Sequence, residues 1–243
     1  MEGSGDTWSS LLPNGNVLVQ TNPPGFTDKA PTALARANAR YKSIHEHTGH
    51  LVSAEAEALS LAPPCPPSAQ WKFYEFNGTT LTLEPAATSC NNQPSTLLLP
   101  TGEVMLNLNF VYKSSGTFLN RWRPTITSFP LATNVNPGGT YQISGTQFNG
   151  LSQANAFNDE FQVATNFPLV RIINNATGDV SYARTYNFST MGVATGARIV
   201  STWFDVPTDL ETGDSKLEVV ANGIPSLPIN ITVVPGGAEA SAN

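Results

Sequence analysis

Residues 137–148 read PGGTYQISGTQF, and this stretch decides the fold that the sequence predicts for the second half of the chain. Pro137, Gly138 and Gly139 form a turn signal, because proline presets one backbone angle and glycine accepts a positive φ. From Thr140 to Thr146 polar and apolar residues then alternate, which is typical of a strand with one buried face. We therefore expect strands joined by tight turns in this half.

The same texture continues on both sides of this stretch. Residues 124–129 form a predicted strand that is entered from a proline, and further strands are predicted at 169–173, 180–186, 198–204, 215–221 and 227–234. Seven strands in about 110 residues, separated by turn signals, are the pattern of an immunoglobulin-like sandwich. We expect residues 121–235 to form this sandwich and residues 236–243 to be a flexible tail.

The first half contains an internal repeat. Residues 9–22 read SSLLPNGNVLVQTN and residues 96–109 read TLLLPTGEVMLNLN, with 6 of 14 aligned positions identical: Leu11/Leu98, Leu12/Leu99, Pro13/Pro100, Gly15/Gly102, Val17/Val104 and Asn22/Asn109. Each copy predicts a strand, a Pro-x-Gly turn and a second strand. The mostly apolar strands are typical of strands buried on both faces.

A hairpin and an irregular segment separate the two copies. Residues 71–76 and 79–83 are predicted strands, joined by the turn signal Asn77-Gly78. Residues 27–70 fit no strand pattern and hold all three histidines, so we interpret them as an irregular insertion. Cys65 and Cys90 could form a disulfide, and the sequence leaves their state open.

These elements resemble those of a known family. The stretches Leu11–Leu18 and Leu98–Met105 look like inner strands of kelch-type propeller blades, and residues 124–126, 137–140 and 143–148 are similar to a TIG-type immunoglobulin fold. Together they resemble the C-terminal part of galactose oxidase-like kelch proteins, in which the sandwich is an early-set domain. The expected fold is therefore all-β, with partial propeller blades in residues 1–120 followed by the sandwich.

The resemblance has consequences for completeness and location. A propeller needs at least about four blades to close its ring, and residues 1–120 can supply two at most. We therefore expect a truncated member of the family, a fragment, or a partner that completes another chain, with a protein that completes the propeller as a possible partner. The family is commonly extracellular, whereas the N-terminal residues lack the features of a signal peptide, so the location stays open.

The resemblance also raises a question about copper. The family's oxidases hold copper with two tyrosines and two histidines, one of them from the C-terminal domain. The corresponding region, residues 183–192, contains no histidine, although Tyr186 or Asn187 could stand at the ligand position. Tyrosine is a poor substitute for imidazole at copper. We therefore expect no catalytic residues and no cofactor, with copper only if the chain is a fragment of a radical-copper oxidase acting on primary alcohols or sugars.

Two further metal sites can be weighed from the sequence. His45, His47 and His50 form an H-x-H-x-x-H cluster that could bind zinc or copper, although three exposed polar residues are the favoured interpretation. The acidic residues between 205 and 214 match no calcium-loop spacing, and a solvated turn between strands is favoured for them.

Aromatic residues offer a different kind of site. Several aromatic residues of the second half could line a sugar-binding surface, although aromatic residues in strands more often belong to the core. They are Phe148, Phe157, Phe161, Phe167, Trp203 and Phe204. We single out Tyr186, Asn187 and Trp203 as candidate ligand-binding residues.

Composition and charge exclude several classes of partner. Only 12% of the residues are charged, against a usual share of about 25%. The net charge is −6, and the 12 basic residues form no stripe, which argues against nucleic acid and anionic membranes. No apolar run is long enough for a transmembrane helix. The function expected from the sequence is a non-catalytic binding or structural module, with a carbohydrate- or cell-surface-binding module as an alternative.

Overall fold

The computed structural model of the chain describes residues 8–21, 71–89, 96–106, 110–129, 134–157, 161–164 and 166–235. These residues form β-strands and one 3-10 turn at Asn120–Trp122, so the predicted all-β class is confirmed. The predicted insertion at 27–70, the tail at 236–243, the three histidines and both cysteines lie outside the described residues. No helix in the described ranges is long and apolar enough to span a membrane.

Seven strands lie among the described residues of the first half of the chain. They are β1 (Trp8–Leu11), β2 (Val17–Thr21), β3 (Trp71–Phe76), β4 (Leu81–Ser89), β5 (Thr96–Leu98), β6 (Val104–Leu106) and β7 (Phe110–Tyr112). Eleven strands follow: β8 (Thr125–Ser128), β9 (Asn134–Val135), β10 (Thr140–Thr146), β11 (Ala154–Phe157), β12 (Phe161–Ala164), β13 (Leu169–Asn174), β14 (Val180–Tyr186), β15 (Ile199–Asp205), β16 (Gly213–Ala221), β17 (Ile224–Pro225) and β18 (Ile229–Val233).

The second half contains a sandwich whose two layers run β8-β10-β15-β14 and β13-β16-β18-β9. Strand β14 joins the layers, since Val180–Arg184 pair with β13 whereas Thr185 and Tyr186 pair with β15. On the other side, β8 pairs with β10 and β9 runs parallel to β18. This order of strands is that of an immunoglobulin-like sandwich, as the turn and strand pattern predicts.

The core of the sandwich is supplied by alternate residues of both layers. One layer contributes Ile143, Val200 and Phe204, and the other includes Val170 and Leu217, all of them buried in one cluster. Burying a side chain of this size contributes about 1.5 to 3 kcal/mol. This cluster fixes which residues of each strand face outward.

The repeat forms the same structure in both copies. Strands β1 and β2 pair antiparallel, as do β5 and β6. Gly15 and Gly102 have φ of +88° and +86°, and each donates its N–H to the leucine carbonyl three residues earlier, at 2.9 Å. The predicted strand–turn–strand element is therefore present twice.

Two sheets make up the first region, a six-stranded sheet of order β12-β11-β1-β2-β3-β4 and a three-stranded sheet β5-β6-β7. They share a buried cluster of Leu12, Leu18, Phe73, Leu98, Val104 and Leu106. Asn155 links them, because its Nδ2 donates to the Thr96 carbonyl at 3.0 Å and its Oδ1 accepts from the Leu98 N–H at 3.2 Å. The described strands do not show propeller blades, and the kelch interpretation of this region remains a prediction.

The hairpin β11–β12 lies within the range predicted for the sandwich but pairs with β1 of the first region. It leaves the sandwich after β10 and returns before β13, so the chain passes between the two regions more than once. Contacts between turns also join them. A Cβ added to Gly223 would lie 2.6 Å from the Cα of Gly102, and one added to Gly15 would lie 2.7 Å from the Trp122 ring.

Candidate functional site

Three neighbouring strands of the sandwich place a row of side chains on its outer surface. Trp203 of β15 lies directly opposite Gln142 of β10 on one side and Tyr186 of β14 on the other. Directly opposed residues of antiparallel strands share one face and lie about 4.5 to 5.5 Å apart at Cα. Because the neighbouring residues Ile143 and Phe204 are buried, this row faces solvent.

The middle of the row is an accessible aromatic ring. The side chain of Trp203 is 36% exposed, and Gln142 is exposed beside it. Among the described residues, no group accepts a hydrogen bond from the Trp203 indole N–H, and none forms a hydrogen bond with the side-chain amide of Gln142. Both side chains therefore retain hydrogen-bonding capacity next to an apolar ring.

A carboxylate lies in the neighbouring row of side chains on the same face of the sandwich. Asp205 is opposite Thr140, whose hydroxyl donates to Asp205 Oδ1 at 2.6 Å. The Tyr186 hydroxyl donates to the same oxygen at 2.8 Å. These two hydrogen bonds, first that of Thr140, lower the pKa of Asp205, and the bond to Asp205 raises the pKa of Tyr186. The carboxylate is thus held ionised at neutral pH.

We call these five residues, Gln142, Trp203, Tyr186, Thr140 and Asp205, the Trp203 face. They combine an exposed indole ring, a phenol, a charged acceptor, a hydroxyl and an amide on the rigid strands of a sandwich. Tyr186 and Trp203 were singled out from the sequence, whereas the other three were not. The alternation in residues 140–146 and 199–205 indicates which side chains of each strand face outward. It does not indicate the register between the strands, which decides which of these side chains are neighbours.

Asn187, the third candidate residue of the sequence, does not join the row. It has a φ of +51° and is exposed where the chain leaves β14. The next residue, Phe188, packs instead against Phe167, with ring centroids 5.7 Å apart. Asn187 therefore ends the strand and lies at the margin of the Trp203 face.

The other aromatic candidates divide between core and surface. Phe148 and Phe204 are buried in the sandwich core, as the alternative interpretation expected. Phe167 is 44% exposed and contacts Phe188 away from the row. The side chains of Phe157 and Phe161 lie outside the described residues.

The acidic residues between 205 and 214 are dispersed by the fold. Glu211 accepts a hydrogen bond from the Thr177 hydroxyl at 2.6 Å, and Asp214 accepts one from the Thr232 hydroxyl at 3.0 Å. Asp205 is at the Trp203 face instead. Within the described ranges no group of three His, Cys, Asp or Glu residues could hold a metal ion. The candidate metal ligands His45, His47 and His50 lie outside those ranges.

A second polar cluster, which the sequence did not predict, lies between the two sheets of the first region. The buried Glu75 carboxylate accepts hydrogen bonds from the amides of Asn14 and Asn16 and from the Tyr112 hydroxyl. Burial and, next, the bond to Glu75 raise the pKa of Tyr112 well above its ordinary value. Glu75 alternates with the buried Phe73, which is the signal that could have placed it inside. Donors from both sheets converge on this one carboxylate, so the cluster fastens the sheets together.

Comparisons with known proteins identify no family for this chain. No family model matches the sequence, and no curated protein matches it. Among solved structures, the crystal structure of the Lin-41 filamin domain is 14% identical, covers 46% of this chain and 91% of its own, and has a TM-score of 0.25. The immunoglobulin-like architecture rests on the strand pairing and not on this likeness. These comparisons give no support for a relation to galactose oxidase-like kelch proteins.

Proposed function

We propose that the chain is a non-catalytic binding module whose ligand is a carbohydrate and whose binding surface is the Trp203 face. The observation that carries this proposal is the register of three strands, which places Gln142, Trp203 and Tyr186 side by side on an exposed surface. The ring of Trp203 offers a flat apolar platform, and the residues beside it offer donors and an acceptor.

The chemistry of the face suits a sugar ring better than other partners. A pyranose has an apolar face of C–H groups and a rim of hydroxyls, so it needs an aromatic surface together with polar groups at its edges. Asp205 supplies a charged acceptor, and Gln142 supplies both a donor and an acceptor. The net charge of −6 and the carboxylate on the face itself disfavour a polyanionic ligand.

The rigidity of the surface also supports this role. Trp203 and Tyr186 lie within regular strands, and Tyr186 is held by its bond to Asp205. A site on strands loses little side-chain freedom when it binds, which favours affinity on an open surface. Open faces of this kind bind weakly for each sugar unit, so we expect a preference for oligosaccharides.

The relation to galactose oxidase-like kelch proteins belongs to this proposal and is supported by the sequence and the repeat. The two strand–turn–strand elements have matching turns and pack face to face in the first region. In such a protein the sandwich would serve as a binding domain beside incomplete blades. No step of an oxidation is assigned to any residue of the chain.

The test is a glycan array probed with the intact chain, followed by titration of the strongest ligand. We expect binding by the natural chain and a loss of at least about tenfold in affinity for Trp203→Ala. Ile199→Ala is the matched control, since Ile199 is exposed on the same face of β15 about 13 Å away. Binding by no glycan, or equal losses in both variants, would overturn the proposal.

A further inference from the structure

The two copies of the repeat pack on each other through different faces. Val104 and Leu106 of the second copy are buried against the first sheet, together with Leu98. The residues aligned with them in the first copy are Val17, Val19 and Leu11. We call these equivalent positions the valine face: Leu11, Val17 and Val19 in the first copy, and Leu98, Val104 and Leu106 in the second. The opposite face is the other side of the same hairpin.

In the first copy the valine face is not the one that packs. The first copy contributes Leu12 and Leu18 to the shared cluster, and these belong to its opposite face. The contact is therefore made by the opposite face of the first copy and the valine face of the second. An interface between two different faces of a repeated unit is heterologous, and both units keep one face that can make the same contact again.

The open valine face of the first copy is apolar. Val17 lies in register with Leu11 on one side and with Phe76 on the other, and Phe76 is opposite Leu81. The side chains of Leu11, Val17 and Phe76 are partly exposed, and Leu81 is 60% exposed. A row of four apolar side chains thus crosses four strands on the side of the sheet away from the shared cluster.

The open opposite face of the second copy is apolar as well. Met105 lies in register with Leu97 and with Val111, which is 58% exposed. Leu97, Leu99 and Met105 are partly exposed, and they are aligned with the buried residues Ser10, Leu12 and Leu18 of the first copy. The second sheet therefore presents outward a surface equivalent to the one that the first sheet buries.

From this pair of unmatched but complementary faces we infer that the chain associates head to tail with further copies of itself. The opposite face of the second copy of the repeat in one molecule packs on the valine face of the first copy in the next, and so repeats the contact that already exists within the chain. A heterologous contact of this kind closes into a ring or extends into a filament.

The test is sedimentation of the intact chain over a concentration series, with two variants that each disable one face. Val17→Lys disables the valine face and Met105→Lys disables the opposite face. We expect the natural chain to associate and each variant alone to be monomeric, with association weakened by at least about tenfold. An equimolar mixture of the two variants should form a heterodimer and nothing larger, because each molecule retains one working face.

Circular dichroism and thermal melting report whether the variants fold. If either central variant fails to fold, Leu81→Lys and Val111→Lys replace them, since both side chains are more than half exposed on the same two faces. A natural chain that stays monomeric at every concentration would overturn the inference. So would variants that associate as the natural chain does, or a mixture that does not pair.

Discussion

The sandwich and the two sheets of the first region bury their apolar side chains to different extents. In the sandwich, β14 pairs with strands of both layers, and the two layers enclose a cluster of fourteen buried residues. The first region has a cluster of six buried residues between two open sheets that leave apolar rows on their outer surfaces. Two layers packed on each other bury their inner faces, whereas the outer faces of the sheets in the first region stay available to a neighbour.

The difference indicates a division of roles. The closed sandwich can expose the Trp203 face without losing stability, because its core does not depend on those residues. The first region leaves apolar rows on its outer surfaces, which the proposed self-association would cover. We therefore propose ligand binding for the Trp203 face and self-association for the apolar faces of the first region.

The largest loss of stability is expected from a substitution at Gly145, near the end of β10. A Cβ at this position would lie 2.0 Å from the Thr125 carbonyl oxygen and 2.5 Å from the Phe148 ring. Gly145→Ala should therefore push β8 or Phe148 out of place and destabilise the sandwich by about 3 kcal/mol or more. Denaturant unfolding measures this, and Gly192→Ala, whose Cβ would meet no atom closer than 3.4 Å, should change stability little.

If Gly145→Ala were as stable as Gly192→Ala, the close packing of β8 on β10 would be wrong. Strand β8 would then not be fixed on β10 at the edge of its layer.

A smaller loss of stability is expected in the first region when Glu75 is replaced. Three side-chain donors converge on its buried carboxylate, and the amide of a glutamine cannot accept from all three. Glu75→Gln should destabilise the first region by about 1 to 3 kcal/mol. Tryptophan fluorescence and hydrogen exchange locate the loss, which should spare the sandwich. Glu103→Gln, in an exposed turn where Glu103 bonds Thr101, is the control and should have little effect.

The smallest effect concerns the charge on the Trp203 face. Tyr186→Phe removes one of two donors to Asp205, so the pKa of Asp205 should rise toward its ordinary value but stay below it, since Thr140 still donates. Carboxyl NMR titration measures this shift. A lowered folded pKa means that the bonds stabilise the fold at neutral pH and are lost as pH falls through that value. Tyr182→Phe, on the same strand, should leave the pKa of Asp205 unchanged.

Much of the sandwich could be predicted from its sequence, and the reason is local. Residues 140–146 and 180–186 carry their own alternation and turn signals, and the structure places strands there. The hairpin β11–β12 could not be assigned in this way, because its pairing with β1 joins residues far apart in the sequence. Local patterns indicate that a strand forms but not which strand lies beside it.

The candidate site shows the same limit. Trp203 and Tyr186 were recognised by residue type, but their contact with Gln142 and Asp205 depends on the register of β10, β15 and β14. The repeat was recognised by sequence identity, whereas only the structure shows that its two copies bury different faces. The register of paired strands and the face that a hairpin buries are both set by tertiary packing, which no short motif encodes.

Hydrogen exchange of the intact chain, resolved strand by strand, tests whether the sandwich is more stable than the first region. We expect slow exchange in β10, β13, β15 and β16 at all concentrations. We expect faster exchange in β2, β3 and β6, which should slow as the chain concentration rises. Equal protection of both regions in dilute solution, or faster exchange in the sandwich, would contradict this expectation.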